Sequence, residues 1–364
     1  EYSKIISAMG GNDNAFTSTD YTAYFETVPS AEVSRVLKME AERFANLKLR
    51  DKDFQSEIKV IMEERRMRTE DDANSRMFEE LSAASLRLHP YRNPVIGWMQ
   101  DLKTLSIDDV KAFYKKHYVP ANVTVVVVGD VDFNQVKKVV AKSFGKMRKR
   151  AVEPRFNPTE PEPLGAKRVV VELPAQLPMV AFTLPVPSWV PGKNDKEAAA
   201  LALATEILAG GRSAVLHQVL VNEQRSAAAV GAGYDPFTMG LDLWYAYGAL
   251  GVGQSVADFE DKFWALIHHM SQTLPNARRF AAAKRSLIAN AVFAQDSLYL
   301  RAKHIGILET VGIGAAQQDT WLDLIREVQP EEVRDAIARW LKPNRATTGI
   351  LQPKHAVANK GVAQ

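Results

Sequence analysis

The sequence predicts an α+β fold of two homologous domains, each a mostly antiparallel sheet with helices packed on one face. Three observations predict it. Candidate strands often neighbour other strands rather than alternating with helices, which disfavours a doubly wound parallel sheet. Residues 151–165 carry four prolines interleaved with acids, an extended linker with no helical or central-strand character. A helix–proline–strand unit also recurs. Val110 matches Val333 and Pro120 matches Pro343, each pair 223 residues apart, and Phe54 matches Phe280 at an offset of 226. Such in-order matches are the mark of a duplicated domain.

The elements follow in chain order. Tyr2, Ile5, Ile6 and Met9 have helical spacing. Gly10–Ser18 is a flexible polar turn leading into a strand over Ala15–Val28, rich in Thr, Tyr and Phe. Ser30–Leu47, Phe54–Thr69 and Met77–Leu86 read as helices. Ser106 caps a helix with an acid three residues later, and that helix reaches Tyr118 before Pro120 and a strand over Val123–Val128. After the linker come strands at Val169–Leu173, Met179–Pro185, Ala227–Gly233 and Leu241–Gly248. Helices follow from the periodicity at Ala198–Leu208, Val256–Leu274, Ala277–Ala294 and Leu298–Leu308. Pro330, Glu331 and Glu332 open a last helix that runs to Leu341, then Pro343 and a strand over Ala346–Leu351. Lys354–Gln364 is expected to be a frayed tail.

Composition excludes several functions. The 364 residues are 46% apolar and 24% charged, enough for a large core. The net charge of +3 is too small to imply nucleic acid or a membrane surface. There is no cysteine, hence no disulfide, thiolate metal site or cysteine nucleophile, and the compartment stays open. The apolar stretches are too short to span a bilayer. The opening residues, Glu1 running straight into a helical pattern, suggest the remnant of a longer chain.

One helix concentrates the candidate chemistry. With Phe54 at zero on a wheel of about 100° per residue, Glu57 falls near 300° and Glu64 near 280°. Ile58, Ile61 and Val60 flank them, and Glu63 points away. Two acids on a partly buried edge need a cation or a donor. They lie roughly 10 Å apart along the axis, so only one can bind a given metal directly. The alternative is an amphipathic helix whose acids meet Arg65, Arg66 and Arg68. None of the seven histidines forms H-x-x-E-H or H-E-x-x-H, and no serine-hydrolase elbow or phosphate loop is present. The glycine turn before Asn14 is compatible with a strand edge that accepts an added peptide, or with an ordinary surface turn.

Together these segments resemble the pitrilysin, insulysin and mitochondrial processing peptidase family of zinc metallopeptidases. The resemblance lies in Gly10–Tyr24, in Glu57-Ile58-Lys59-Val60-Ile61-Met62-Glu63-Glu64, and in His89-Pro90-Tyr91 with Pro94–Gly97. It implies a catalytic-type domain over 1–148, a linker over 149–167 and a non-catalytic homologous domain over 168–364. It implies zinc held by two histidines of an inverted H-x-x-E-H motif and by Glu64, with Glu57 as supporting acid. Asn14, Ala15, Phe16 and Thr17 resemble the strand that hydrogen-bonds an extended substrate.

The departures shape the functional expectation. Both histidines and the general base are absent, so no catalytic residue is present and no zinc is expected in this chain alone. At the matching positions of the second half, Ala283 replaces Glu57 and Asn290 replaces Glu64. A family segment with substrate-binding Arg and Tyr reads Asn222–Ala229 here, with Asn222 and Ala229 at those two positions and Arg225 three residues further on. The expectation is an inert fragment of a zinc endopeptidase that pairs with a same-fold chain. The rival is a scaffolding subunit of a peptidase heterodimer.

Overall fold

The computed structural model describes residues 1–147, 149–152 and 154–354. In chain order the first elements are α1 (Tyr2–Ala8), β1 (Asn12–Thr17), β2 (Thr22–Thr27), α2 (Val33–Asn46), α3 (Asp51–Arg65) and α4 (Ala73–Ser85). Then come α5 (Met99–Thr104), α6 (Ile107–His117), α7 (Phe133–Ser143), β3 (Lys167–Leu173), β4 (Met179–Pro187), α8 (Asp195–Ala209), β5 (Ala229–Gly233) and β6 (Leu241–Ala249). The last are α9 (Val256–Gln272), α10 (Ala277–Ala294), α11 (Leu298–Thr310), α12 (Gln318–Glu327), α13 (Pro330–Trp340) and β7 (Thr347–Pro353). The chain is α+β, as its pattern predicts.

Two compact units form. Unit 1 comprises Glu1–Glu64, Val95–Phe156 and Val292–Ala315. Unit 2 comprises Arg65–Pro94, Asn157–Ala291 and Ala316–Gln364, of which 355–364, all of the expected frayed tail but Lys354, fall outside the described residues.

Unit 2 is built on a five-stranded sheet in the order β3-β7-β4-β6-β5, with β3 and β7 parallel and the other pairs antiparallel. Met179–Val186 of β4 is buried along its whole length because both faces of the sheet are covered. On one face Phe182 stacks on Phe263 at 4.4 Å, and Leu201, Leu208 and Ile337 join them from α8 and α13. On the other face α4 lays Met77 and Leu81 against Met179, Ala181 and Leu351. A Cβ on Gly349 would sit 2.8 Å from the Met77 sulfur, so only glycine lets α4 approach this closely. Each fully buried side chain of this kind contributes about 1.5–3 kcal/mol.

Unit 1 holds the β1–β2 hairpin, paired from Asn12↔Thr27 to Thr17↔Thr22. The single strand expected over Ala15–Val28 is therefore a hairpin, because the Ser18 N–H closes on the Tyr21 carbonyl at 2.8 Å and reverses the chain. The strand expected over Val123–Val128 is a second correction: this run joins no ladder among the described residues. Its apolar side packs instead on α11, where a Cβ on Gly306 would stand 3.8 Å from Val126. The same helix sets Tyr299 against Phe25 at 4.7 Å and Lys303 over Phe16 at 4.9 Å. The pattern also missed α5, α7 and α12.

The repeat extends through most elements. Helices α6 and α13 are 11 residues each and 223 apart, and both run into a 3-10 turn begun by proline. Their C-caps share a conformation, Tyr118 at φ −87°, ψ 71° and Leu341 at φ −92°, ψ 71°. The β1–β2 pair sets Ala15 opposite Tyr24, and β5–β6 sets Gly231 opposite Tyr247, again 223 from Tyr24. Helices α4 and α11 are 13 residues each and 225 apart. The repeats exchange them: α4, from the first half of the sequence, belongs to unit 2, and α11, from the second, belongs to unit 1.

Candidate functional site

Helix α3 begins with Asp51 and Asp53 in its first turn, where acids favour the N-terminal dipole, and Arg50 pairs with Asp53 at 2.7 Å. Ile58 is buried and fixes which way the helix faces. Glu57 is exposed and Glu64 half-buried. Val60, expected to wall off their sector, is 56% exposed.

After Arg65 the helical ladder widens to a π turn over Arg66–Glu70, and the Asp71 N–H reaches back to the Arg66 carbonyl at 2.8 Å. Such widened turns store a register shift and often lie at functional sites. The Arg65 side chain is 4% exposed and donates twice to Glu79, each at 2.8 Å, with Glu70 at 3.6 Å. The bonds to Glu79 raise its pKa despite burial. This buried pair fixes the backbone one residue beyond Glu64.

Strand β1 has β2 as its only ladder neighbour among the described residues. Asn14, Ala15 and Thr17 are exposed and Phe16 half-buried. The Asn14 side chain accepts the Ala15 N–H at 2.8 Å and so fixes its own rotamer. The ring of Phe16 packs edge-on against Tyr21 at 5.9 Å and near Phe25 at 6.1 Å. The other edge of this strand makes no ladder bonds among the described residues.

Sequence reasoning missed a polar cluster in unit 1. The Tyr2 hydroxyl donates to Glu26 at 3.0 Å, and Arg43 donates twice to Glu40 at 2.9 and 2.6 Å. The Arg43 guanidinium lies 5.2 Å from the Tyr2 ring centre and 4.8 Å from that of Tyr24. Burial and the neighbouring negative Glu40 push the Glu26 carboxyl up to about 7. The signal was there at an offset of 223: Glu40 falls where Phe263 stands, a core position of the other repeat.

The other predicted residues are dispersed. Asn222 ends in a π-helical segment, His217–Glu223, and Ala229 opens β5. Arg225 has φ 49°, strained for a non-glycine, and its carbonyl accepts from Gln254 Nε2 at 2.5 Å. His89 is 3% exposed and structural: its Nε2 meets Asn157 Oδ1 at 3.1 Å. Glu160 of the linker accepts the N–H groups of Arg87, Leu88 and His89 at 2.5, 2.9 and 2.9 Å. Among the described residues no three His, Cys, Asp or Glu side chains come together as a metal site. Glu64 is one carboxylate, so the donors present do not fit catalytic zinc, which needs three protein ligands. No helix of the described residues is long and apolar enough to cross a membrane.

Comparison with known proteins gives a consistent picture. The model of the peptidase M16 inactive domain matches residues 104–287, and that of insulinase (peptidase family M16) matches residues 1–98. The chain is 32% identical over 233 residues to the zinc protease PqqE of Helicobacter pylori, covering 63% of this chain and 51% of that protein. It thus spans about half the length of that relative. It is 25% identical over 360 residues to an uncharacterised zinc protease of Streptomyces coelicolor, covering 97% and 76%. A crystal structure of a protease from Helicobacter pylori superposes with a TM-score of 0.89 over 96% of this chain and 83% of that one, at 24% identity.

Proposed function

The chain belongs to peptidase family M16, and from that premise we propose that it is part of a zinc metalloendopeptidase acting on extended peptides. In this reading Glu64 is the distant zinc ligand and Glu57 the acid that orients it. The carrying observation is α3, which turns both acids to one sector and is clamped just past Glu64 by the Arg65–Glu79 pair. The unpaired edge of β1 at Asn14–Thr17 receives the backbone of the substrate, whose main-chain N–H and C=O groups are recognised whatever its side chains. The two histidine ligands and the general base are supplied from outside residues 1–364. Residues 1–364 alone therefore neither retain catalytic zinc nor cleave peptides.

The test uses the polypeptide extended by the codons found upstream of Glu1. If they encode H-x-x-E-H, the extended protein holds about one zinc per chain and cleaves a quenched peptide, and Glu64→Gln loses the metal. Zinc retained in full by Glu64→Gln would sink the assignment.

A second reading, a non-catalytic subunit that pairs with a same-fold chain, draws on the match to an inactive-domain model over 104–287 and on Asn222 and Ala229 in place of an Arg and a Tyr. Upstream codons without the inverted motif decide for it. Activity that appears only on mixing with a same-fold partner decides for a shared site.

A further inference from the structure

The proline-rich linker does more than connect. Residues 157–163 form one wall of a cleft of about 240 Å³ in unit 2. Residues 185–187 at the end of β4 and Leu241 at the start of β6 form another, and Trp340 and Arg345 complete it. The walls are held by their own bonds. Asn157 Oδ1 meets His89 Nε2 at 3.1 Å, and Glu160 accepts three backbone N–H groups. Trp340 Nε1 donates to Glu197 at 2.8 Å, and Glu197 also pairs with Arg339 at 2.9 Å.

Arg345 is the group this arrangement leaves unfinished. Its guanidinium lies 4.9 Å from the Trp340 ring centre. Nη1 pairs with Glu162, and Nη2 donates to the Pro185 carbonyl at 3.4 Å. Nε is buried and meets no hydrogen-bond partner among the described residues. A buried donor left unmet is destabilising. The matching turn of the other repeat has Asn122 here, whose Nδ2 donates to the His117 carbonyl at 3.0 Å. The turn itself therefore needs no arginine.

Nε and Nη2 form the edge of a guanidinium that a carboxylate meets with two parallel bonds. Glu162 sits at Nη1 instead and is 72% exposed, so its hold is weak. The surrounding charge also favours an acid. Lys167 neighbours Glu160, and Arg87 and Arg92 neighbour Lys167. With Arg345 that makes four cations against Glu160 and Glu162. Those two acids disfavour a doubly charged anion.

We propose that this cleft binds a small carboxylic acid, with its carboxylate on the Nε–Nη2 edge of Arg345 and its apolar body among the prolines, Leu241 and Trp340. Free acids and the last residue of a peptide present the same group. Two carboxylates on one guanidinium repel, so the ligand enters as Glu162 swings out. Glu162 is thus a built-in stand-in for the ligand. The site lies within unit 2 and does not depend on Glu64 or zinc.

The probes are N-acetyl-leucine and N-acetyl-leucinamide, titrated by calorimetry into the full 364-residue chain. The acid should bind saturably with a Kd below about 5 mM, the range open to a ligand of this size. The amide lacks the charge and should bind about tenfold or more weakly. Arg345→Lys keeps the charge but loses the two-bond edge, so it should weaken the acid about tenfold. Glu162→Gln removes the stand-in at an exposed position and should tighten the acid about threefold. That variant keeps the test decisive should Arg345→Lys fail to fold by circular dichroism. A pentapeptide ending in leucine that binds more tightly than the single acid assigns the cleft to peptide C-termini, and one that binds no better assigns it to small acids. A Kd above about 5 mM overturns the proposal. So does an amide bound as well as the acid, an affinity that Arg345→Lys leaves unchanged, or one that Glu162→Gln fails to raise.

Discussion

Glu79→Ala isolates the clamp that holds the end of α3. The Arg65 side chain is 4% exposed and that of Glu79 13%, and two bonds of 2.8 Å join them. Removing Glu79 takes both of these bonds from a buried guanidinium that keeps Glu70 3.6 Å away and 35% exposed. Breaking a buried pair from one side costs about 3–5 kcal/mol, because the other charge stays desolvated. Glu70 can swing in and recover part of it, so the expected loss is about 2–4 kcal/mol. Arg65→Met with Glu79→Leu removes both charges and keeps the volume, so it should restore most of that loss. Urea unfolding followed by circular dichroism reads both variants, and the double-mutant cycle gives the coupling. A Glu79→Ala loss under about 1 kcal/mol, the range of an exposed pair, would mean that the guanidinium finds water. The clamp would then not fix the backbone beside Glu64.

Three further outcomes follow from the same structure. Glu26 is raised from 4.5 to about 7, so its folded state favours the proton and its contribution to stability falls as pH rises through that window. Glu26→Gln should therefore be more stable than the wild type at pH 8, by about 1 kcal/mol after allowing for solvent at this partly exposed site, and should flatten the stability curve between pH 4.5 and 7; an unchanged curve refutes it. Burial works to raise the Glu160 pKa, but three backbone N–H bonds more than offset it and hold the carboxyl below its ordinary range. Its stabilisation is thus present above the ordinary carboxylate pKa and lost as pH falls through the lowered one, and Glu160→Gln should cost about 1 kcal/mol or less at pH 7, after allowing for solvent at this largely exposed site, and speed proteolysis of the linker. A Cβ on Gly248 would lie 2.2 Å from the Phe259 ring, so Gly248→Ala should cost about 1–3 kcal/mol by thermal melt.

The helices of unit 2 other than α12 were legible from their apolar period: Ala277–Ala294 is predicted and observed with the same ends. The Ser106 cap and its acid at Asp109 form the reciprocal capping box that the spacing implies. The hairpin was hidden because the turn at Ser18–Tyr21 carries no glycine or proline. The run Val123–Val128 has every local preference of a strand, yet a ladder needs a neighbour, and none is present among the described residues. The helix exchange was illegible for a different reason. Periodicity says that α4 has an apolar face, but not which sheet receives it. For the site, the wheel shows that Glu57 and Glu64 share a sector, and it cannot show that Val60 is exposed.

The pairs related by the repeat explain where chemistry can reside. In unit 2 Phe263 and Leu341 are core residues and Ala283 is buried. In unit 1 the matching positions are Glu40, Tyr118 and Glu57, and the first two join a network of hydroxyls, carboxylates and Arg43. Apolar contacts stabilise without needing a partner of given charge, whereas each polar replacement needs a donor or acceptor at a fixed place. A sequence shaped by stability alone would gain by returning Glu40 to phenylalanine's class. Its presence beside Glu26, on the unit that also carries Glu64 and the unpaired edge of β1, is the pattern expected when one repeat bears the reactive groups and the other supplies a packed scaffold.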